Sequence, residues 1–403
     1  MLTAQQAWSS IVAHVRPLPT VVVDLADAAG YVLAGSVSAD RDLPPHDRSA
    51  MDGFAVRAED LPSSSGLRVI GEVAAGSPER PEVVRGTCAR IFTGANVPPG
   101  ADTVVPVENA SEPEPGHVRF EAKVRAGANI LRQGENAGAG EVILVAGQPL
   151  SSMGLAACAS VGLARVQVAG KPRIVVITTG RELLPPEATA GAHQERDSNQ
   201  AMIRSALTEA GFVEVTCQRV PDDRDAIEAT LRRALDGAHA VVFSGGVSVG
   251  AYDFVPAAVA SIGARVLVHG VAIRPGKPFL FALAPGGLAI FGLPGNPLSA
   301  ATALHEFVLP ALRRMSGLDE HGCRPLVRAR LCEPVTNTPG RQRYLLATLR
   351  WGQGGPEVVP VASQSSADLV AGARADGVIV VPADARGLDA GAAVDFRPWR
   401  RWP

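Results

Sequence analysis

Between residues 171 and 317 the chain repeats one pattern: a short apolar run, a glycine turn, then a segment of helical periodicity. This constrains the fold more than any other feature. Strands that alternate with helices must lie parallel, with the helices crossing back over the faces of the sheet. KPRIVVITTG reads as a buried strand ending in a glycine turn, and SNQAMIRSALTEAG as a helix with Ser198 as N-cap and Gly211 as C-cap. VEVTCQRV is the next strand. DDRDAIEATLRRALDGA is a helix with an acidic first turn and Ile227, Leu231 and Leu235 on one face. HAVVFSGG, ARVLVHGVAI, PFLFAL and LAIFGLPG continue as strands, alternating with the helices YDFVPAAVASIG and NPLSAATALHEFVLPALRRMSG. The expected product is a doubly wound α/β domain whose ligands lie beyond the C-terminal ends of its strands.

The flanks are different. Up to Gly35 the chain reads as a short amphipathic helix and an apolar element. From His46 to Val145 short β-like runs follow one another (LRVIGEV, CARIFTG, DTVVPVE, HVRFEA, EVILVAG) without intervening helices. SMGLAACASVGLARVQV is a helix, a turn and a strand. After Gly317 the runs LVRARL, RYLLATLR, EVVPVA and GVIVVP suggest a small β-barrel-like domain. With 403 residues, several domains are the natural expectation. A net charge of -2 argues against general nucleic-acid binding, which wants a basic surface. The amino terminus lacks the charged and apolar regions of a secretory signal, and no apolar run is long enough to span a membrane. Five cysteines without CxxC spacing suit a reducing compartment and give no zinc site. A cytoplasmic protein is expected.

Three loops of the α/β region could do chemistry. In SGGVSVGAYD, Gly245 and Gly246 let backbone N–H groups approach a ligand, with Ser244, Ser248 and Asp253 close by in sequence; an ordinary strand-to-helix turn would look the same. In RPGKP, Arg274 and Lys277 flank a rigid Pro-Gly turn, which suits an anion, although two loop cations are commonly just solvated. In GLPGNPLS, Pro294, Gly295, Asn296 and Pro297 lead into a helix start that could hold an anion or simply be capped. Together they suggest a phosphate-bearing ligand, yet the spacing is neither GxGxxG nor GxxxxGK[ST]. Glu182 follows the first strand, and Asp222 and Asp223 open a helix. Carboxylates there could hold Mg²⁺ or could cap helices. In the β-rich segment, Asp52-Gly53 and Thr93-Gly94 form turns of their own.

Eight motifs occur in the order of one family: DRSAMDGFA, RIFTGANVPPGADTVVPVE, LRQGENA, TTGREL, DSN, SGGVSVGAYDF, RPGKPF and GLPGNPLSA. The sequence resembles the molybdopterin molybdenumtransferases, the bacterial MoeA and gephyrin E-domain family, over nearly its whole length. The resemblance implies an α/β multidomain protein: a discontinuous linking domain (1–40 and 130–168), a β-rich inserted domain (41–129), a molybdopterin-binding doubly wound α/β domain (169–317) and a C-terminal β-barrel-like domain (318–403). It implies a homodimer with a shared active site, and adenylylated molybdopterin and molybdate as substrates. AMP is then released with Mg²⁺ as cofactor, and the molybdopterin adenylyltransferase is a candidate partner. By position it carries catalytic roles to Asp52, Thr93, Glu182 and Asp253, of which Asp52, Glu182 and Asp253 would be metal ligands. Substrate binding falls to Ser244, Gly245, Gly246, Ser248, Pro294, Gly295, Asn296, Pro297 and one of Asp222 and Asp223. Molybdate binding falls to Arg274, Lys277, Ser299, Arg341 and Ser366.

Some positions depart from the commoner pattern. Arg274 stands where a Lys is usual, Asn136 and Arg181 where an Asp is usual, and Leu346 where many relatives carry an Arg. Arg341 or Arg343 could supply the missing guanidinium. Two other functions share part of this pattern: a molybdopterin adenylyltransferase, which has the α/β domain, and a gephyrin-like scaffold. ATP consumption would mark the first. For the second, the chain has no long linker or second enzyme domain.

Overall fold

The computed structural model describes residues 1–61, 66–121, 124–247 and 254–400. The chain divides into two compact units, one formed by residues 1–34, 147–151 and 166–403, the other by residues 35–146 and 152–165.

At the centre of the larger unit is a six-stranded sheet in the order Val215–Val220, Ile174–Thr179, Ala240–Ser244, Ala289–Leu293, Leu280–Leu283, Arg265–His269. The first four strands are parallel. The alternation expected from the sequence fails at the last two, which run antiparallel to their neighbours. The physical reason is local: only a short turn, residues 284–288, joins Leu283 to Ala289, too short for the helical crossover a parallel pair needs.

Both faces of the parallel strands are buried, which explains their continuous apolar runs. Ile174, Val176, Ala240, Val242, Ala289 and Phe291 point into one core, shared with Trp8 and Ile11 of helix Ala4–His14, with Ile203 and Leu207, and with Phe307 and Leu312. Ile177, Val241, Phe243 and Ile290 point into the other, against Ile227 and Leu231 of helix Arg224–Leu235 and Val255 and Val259 of helix Val255–Ser261. Helix Ser198–Glu209 is capped by Asp197, not Ser198: the carboxylate accepts from the Gln200 N–H. Gly211, with φ 88°, follows the last turn, where a left-handed residue closes a helix.

The C-terminal strands Val327–Leu331, Gln342–Gly352, Gly355–Pro360, Gly377–Val381 and Ala393–Pro398 close on themselves, because Gln342–Gly352 pairs with both Gly355–Pro360 and Gly377–Val381. The expected barrel is a closed one, filled by Leu331, Ala347, Val358, Ile379 and Phe396. The short strand Ile273–Arg274 pairs in parallel with Gln342 and Arg343 at the end of the long barrel strand. The smaller unit has its own six-stranded sheet, in the order Thr103–Pro106, Gly53–Val56, Thr87–Ile91, Leu67–Val73, His117–Phe120, Ala110–Glu114. Its strands also alternate between two cores, Ala55, Ala89, Ile91 and Val104 on one side and Phe54, Val56, Cys88 and Val105 on the other. Among the described residues no helix is long and apolar enough to cross a membrane.

Candidate functional site

The four parallel strands end at Thr179, Val220, Ser244 and Leu293, and the loops beyond them line a cleft of about 810 Å³. Thr179, Glu182, Asp222, Ser244, Gly245, Gly246 and the Pro294–Pro297 loop all face it. Gly245 has φ 96°, and a Cβ there would lie 2.3 Å from the Thr179 carbonyl oxygen. Only glycine fits, and its N–H is held by the Leu293 carbonyl at 3.1 Å. The loop is therefore pinned between neighbouring strand ends.

The sequence left Asp222 and Asp223 unresolved, and the geometry separates them. Asp223 Oδ1 accepts from the Asp225 and Ala226 N–H groups at 3.1 and 3.0 Å, an ordinary N-cap. Asp222 lines the cleft, where its Oδ1 accepts from the Thr179 hydroxyl at 3.2 Å. Glu182 is exposed at the same cleft. Ser248 and Asp253 lie outside the described residues.

Asn199, the last residue of the DSN motif, has a part that the sequence did not reveal. Its Nδ2 donates to Ser244 Oγ at 2.9 Å and to the Gly295 carbonyl at 2.6 Å, so one amide ties two of the glycine loops together. With Nδ2 so committed, Oδ1 is buried without a donor. The neighbouring Asp197 is internal: it is 3% exposed and receives the Thr178 hydroxyl at 2.5 Å.

Beside the cleft is a second pocket of about 440 Å³. Arg274, Lys277, Ser299, Arg341 and Ser366 all line it, together with Arg343 and without a carboxylate among its described lining residues. The parallel pairing of Arg274 with Arg343 places two of these cations on adjacent strands. Burial and the Arg274 charge push the Arg343 guanidinium below its ordinary pKa, and its Nη1 donates to the Thr336 carbonyl at 2.7 Å. Ser366 is fixed from two sides: its hydroxyl accepts from Asn296 Nδ2 at 3.0 Å, and its carbonyl from the Leu298 N–H at 3.0 Å. Leu346 lines the pocket but is 4% exposed and packs in the core with Tyr344 and Val378. Like charges so gathered, with hydroxyls beside them, favour a small anion.

In the smaller unit, Asp52 and Thr93 meet. Asp52 Oδ1 accepts from both the N–H and the hydroxyl of Thr93, each at 2.7 Å. Those bonds, the backbone one foremost, hold the carboxyl below the usual carboxylate range. Among the described residues no group of three or more His, Cys, Asp or Glu side chains is gathered as a metal site.

Residues 2–162 match the family described as "MoeA N-terminal region (domain I and II)", residues 175–314 "Probable molybdopterin binding domain", and residues 328–399 "MoeA C-terminal region (domain IV)". The chain is 33% identical over 400 residues to a molybdopterin molybdenumtransferase of Staphylococcus aureus, covering 98% of this chain and 95% of the relative. A Staphylococcus epidermidis enzyme of the same name is 33% identical over 402 residues, covering 98% and 94%. Among solved structures, the molybdopterin biosynthesis MoeA protein of Pyrococcus horikoshii OT3 superposes with a TM-score of 0.84 at 27% identity, covering 99% of this chain and 100% of that one.

Proposed function

This chain belongs to the MoeA family of molybdopterin molybdenumtransferases, and we propose that it joins molybdate to adenylylated molybdopterin, with release of AMP. The observation that carries the reading is the pairing of two pockets in one compact unit: a cleft of glycine turns and hydroxyls, and a cationic pocket that shares Pro278, Pro294 and Asn296 with it. The first suits a pterin bearing a phosphoanhydride. With the Gly245 N–H committed to the Leu293 carbonyl, the backbone N–H groups of Gly246 and Gly295 would hold its phosphates, and the Asn199 clamp would keep those loops in register. The second suits a tetrahedral dianion, received by Arg274, Lys277, Arg341 and Arg343 with Ser299 and Ser366. Held in adjoining pockets, the two substrates are brought together without either having to search, and positioning supplies much of the acceleration.

Mg²⁺ fits the donor set of the cleft. It is commonly held by one or two carboxylates plus substrate phosphates and waters, and Glu182 and Asp222 are both at hand. When bound, it would neutralise charge on the phosphoanhydride. Asp52 and Thr93 belong to a different compact unit from the cleft. We assign them to a homodimer in which they complete the cleft of the partner subunit. The Asp52 carboxyl, kept ionised by Thr93, would serve there as a metal or ligand acceptor. An enzyme that adenylylates the pterin must precede this one, and all substrates would be met in the cytoplasm.

The purified protein, given adenylylated molybdopterin, molybdate and Mg²⁺, is expected to release AMP and retain pterin-bound molybdenum. ATP consumption without molybdenum transfer would instead mark an adenylyltransferase. The shared site has its own test. Asp52→Asn and Glu182→Gln subunits, each inactive alone, are expected to regain activity when mixed, since one of the two sites in each heterodimer would then be intact. Proven subunit exchange with no regain would refute it.

A further inference from the structure

Asn296 occupies the N-cap position of helix Pro297–Ala303 in extended backbone, φ -65° and ψ 127°, yet its side chain makes no cap bond. An asparagine there ordinarily accepts from the second or third N–H of its own helix. Here the second N–H, that of Leu298, goes instead to the Ser366 carbonyl at 3.0 Å, and Asn296 Nδ2 reaches across to donate to Ser366 Oγ at 3.0 Å. The two residues have exchanged parts. Ser366 caps the helix with its backbone, and the Asn296 amide is released to hold the serine side chain.

The segment that carries Ser366 is otherwise closed on itself. Asp368 accepts from the Gln364 and Ala371 N–H groups, each at 3.0 Å, and Ser365 Oγ accepts from the Ala367 N–H at 3.2 Å. Both serines line the cationic pocket, but Ser365 is committed to its own turn and Ser366 is not. A hydroxyl has one proton to donate and two lone pairs with which to accept. With one lone pair of Ser366 Oγ taken by Asn296 Nδ2, the proton is turned away from that amide, and among the described residues nothing accepts it. We propose that Asn296 is a positioning residue: its amide makes Ser366 a fixed hydrogen-bond donor to the oxyanion, so that the surrounding cations supply charge and this hydroxyl supplies direction. The inference rests on the molybdate reading of the pocket given above.

Arginine-selective glyoxal labelling of the full chain, read residue by residue by mass spectrometry, reports the molybdate concentration that half-protects Arg274 and Arg343. Ser366→Ala removes the donor and is expected to raise that concentration about tenfold. Asn296→Ala keeps the hydroxyl but lets it rotate, and a rise of about fivefold is expected. The double variant decides between the roles. If Asn296 acts through Ser366, the double variant stays at about tenfold; independent effects would multiply to about fiftyfold and overturn the inference. A tie that merely docks the segment would lower the melting temperature of Asn296→Ala and leave half-protection where it was, which also overturns it. Asn296→Gly, well tolerated at a helix start, takes the place of the alanine variant if that one does not fold. Molybdate that protects neither arginine in the unmodified protein removes the oxyanion pocket and the inference with it, whereas protection that Asn296→Ala leaves unmoved removes the inference alone.

Discussion

The cleft at the strand ends and the cationic pocket beside it share Pro278, Pro294 and Asn296 in their walls, yet they are built from different materials. The cleft is made of turns. Its recognising groups are backbone N–H donors and hydroxyls, and its shape depends on Gly245 lying against the Thr179 carbonyl. The pocket is made of side chains: four cations from two chain segments, brought together by the pairing of Ile273–Arg274 with the end of a barrel strand. A backbone site tolerates no added volume and is insensitive to the identity of most side chains around it. A side-chain site has the opposite weaknesses, and that difference can be broken by experiment.

The largest expected effect is on the cleft. Gly245→Val would put a branched side chain where a Cβ already lies 2.3 Å from a carbonyl oxygen, at φ 96°. The loop must move, and AMP release from adenylylated molybdopterin is expected to fall by more than about a hundredfold, the equivalent of roughly 3 kcal/mol. Protection of Arg274 by molybdate should survive in the same variant. If it is lost together with AMP release in a folded protein, the two pockets are not separable.

Lys277→Ala is the converse. Charge-assisted hydrogen bonds contribute about 1.5–3 kcal/mol, so the molybdate concentration for half-saturation is expected to rise about ten- to a hundredfold, with pterin affinity nearly unchanged. Lys277→Arg should restore most of it, because the pocket already accommodates guanidinium groups. An unchanged half-saturation and rate would return Lys277 to the status of a solvated loop charge.

What the sequence disclosed follows the same division. Strand-end loops are contiguous in the chain, so TTGREL, SGGVSVGAYDF and GLPGNPLSA could be read as ligand loops, and the α/β domain follows from their alternation with helices. Contacts that depend on tertiary pairing could not be read. Arg274 and Arg343 are 69 positions apart in number (343 − 274), and only the strand pairing makes them neighbours. Asp222 and Asp223 are indistinguishable as letters, and side-chain direction alone separates the cap from the cleft residue. Leu346 looks like the loss of a binding group, and its position, at the wall of the cationic pocket, packs into the apolar core with Tyr344 and Val378. The antiparallel edge of the sheet was legible as well, because the few residues between PFLFAL and LAIFGLPG are too short for a helical crossover.

The smallest expected effect concerns Asn199, which touches two of the cleft's loops, through Ser244 and Gly295. Two neutral hydrogen bonds would ordinarily contribute about 1 kcal/mol each, but the buried, unpartnered Oδ1 offsets part of that. Asn199→Ala is therefore expected to raise the KM for adenylylated molybdopterin only about three- to tenfold, with molybdate half-saturation unmoved. Asn199→Asp is the sharper variant. It keeps the size and the acceptor but puts a carboxylate oxygen against the Gly295 carbonyl, so it should be worse than Ala. A residue that merely supports the fold would lower the melting temperature and the amount of active protein in both variants and leave KM alone. A KM that rises further in Asp than in Ala, at equal melting temperatures, identifies the amide as the clamp that sets the cleft. Equal KM values in both, matching the unmodified protein, would show that the glycine loops hold their register without it.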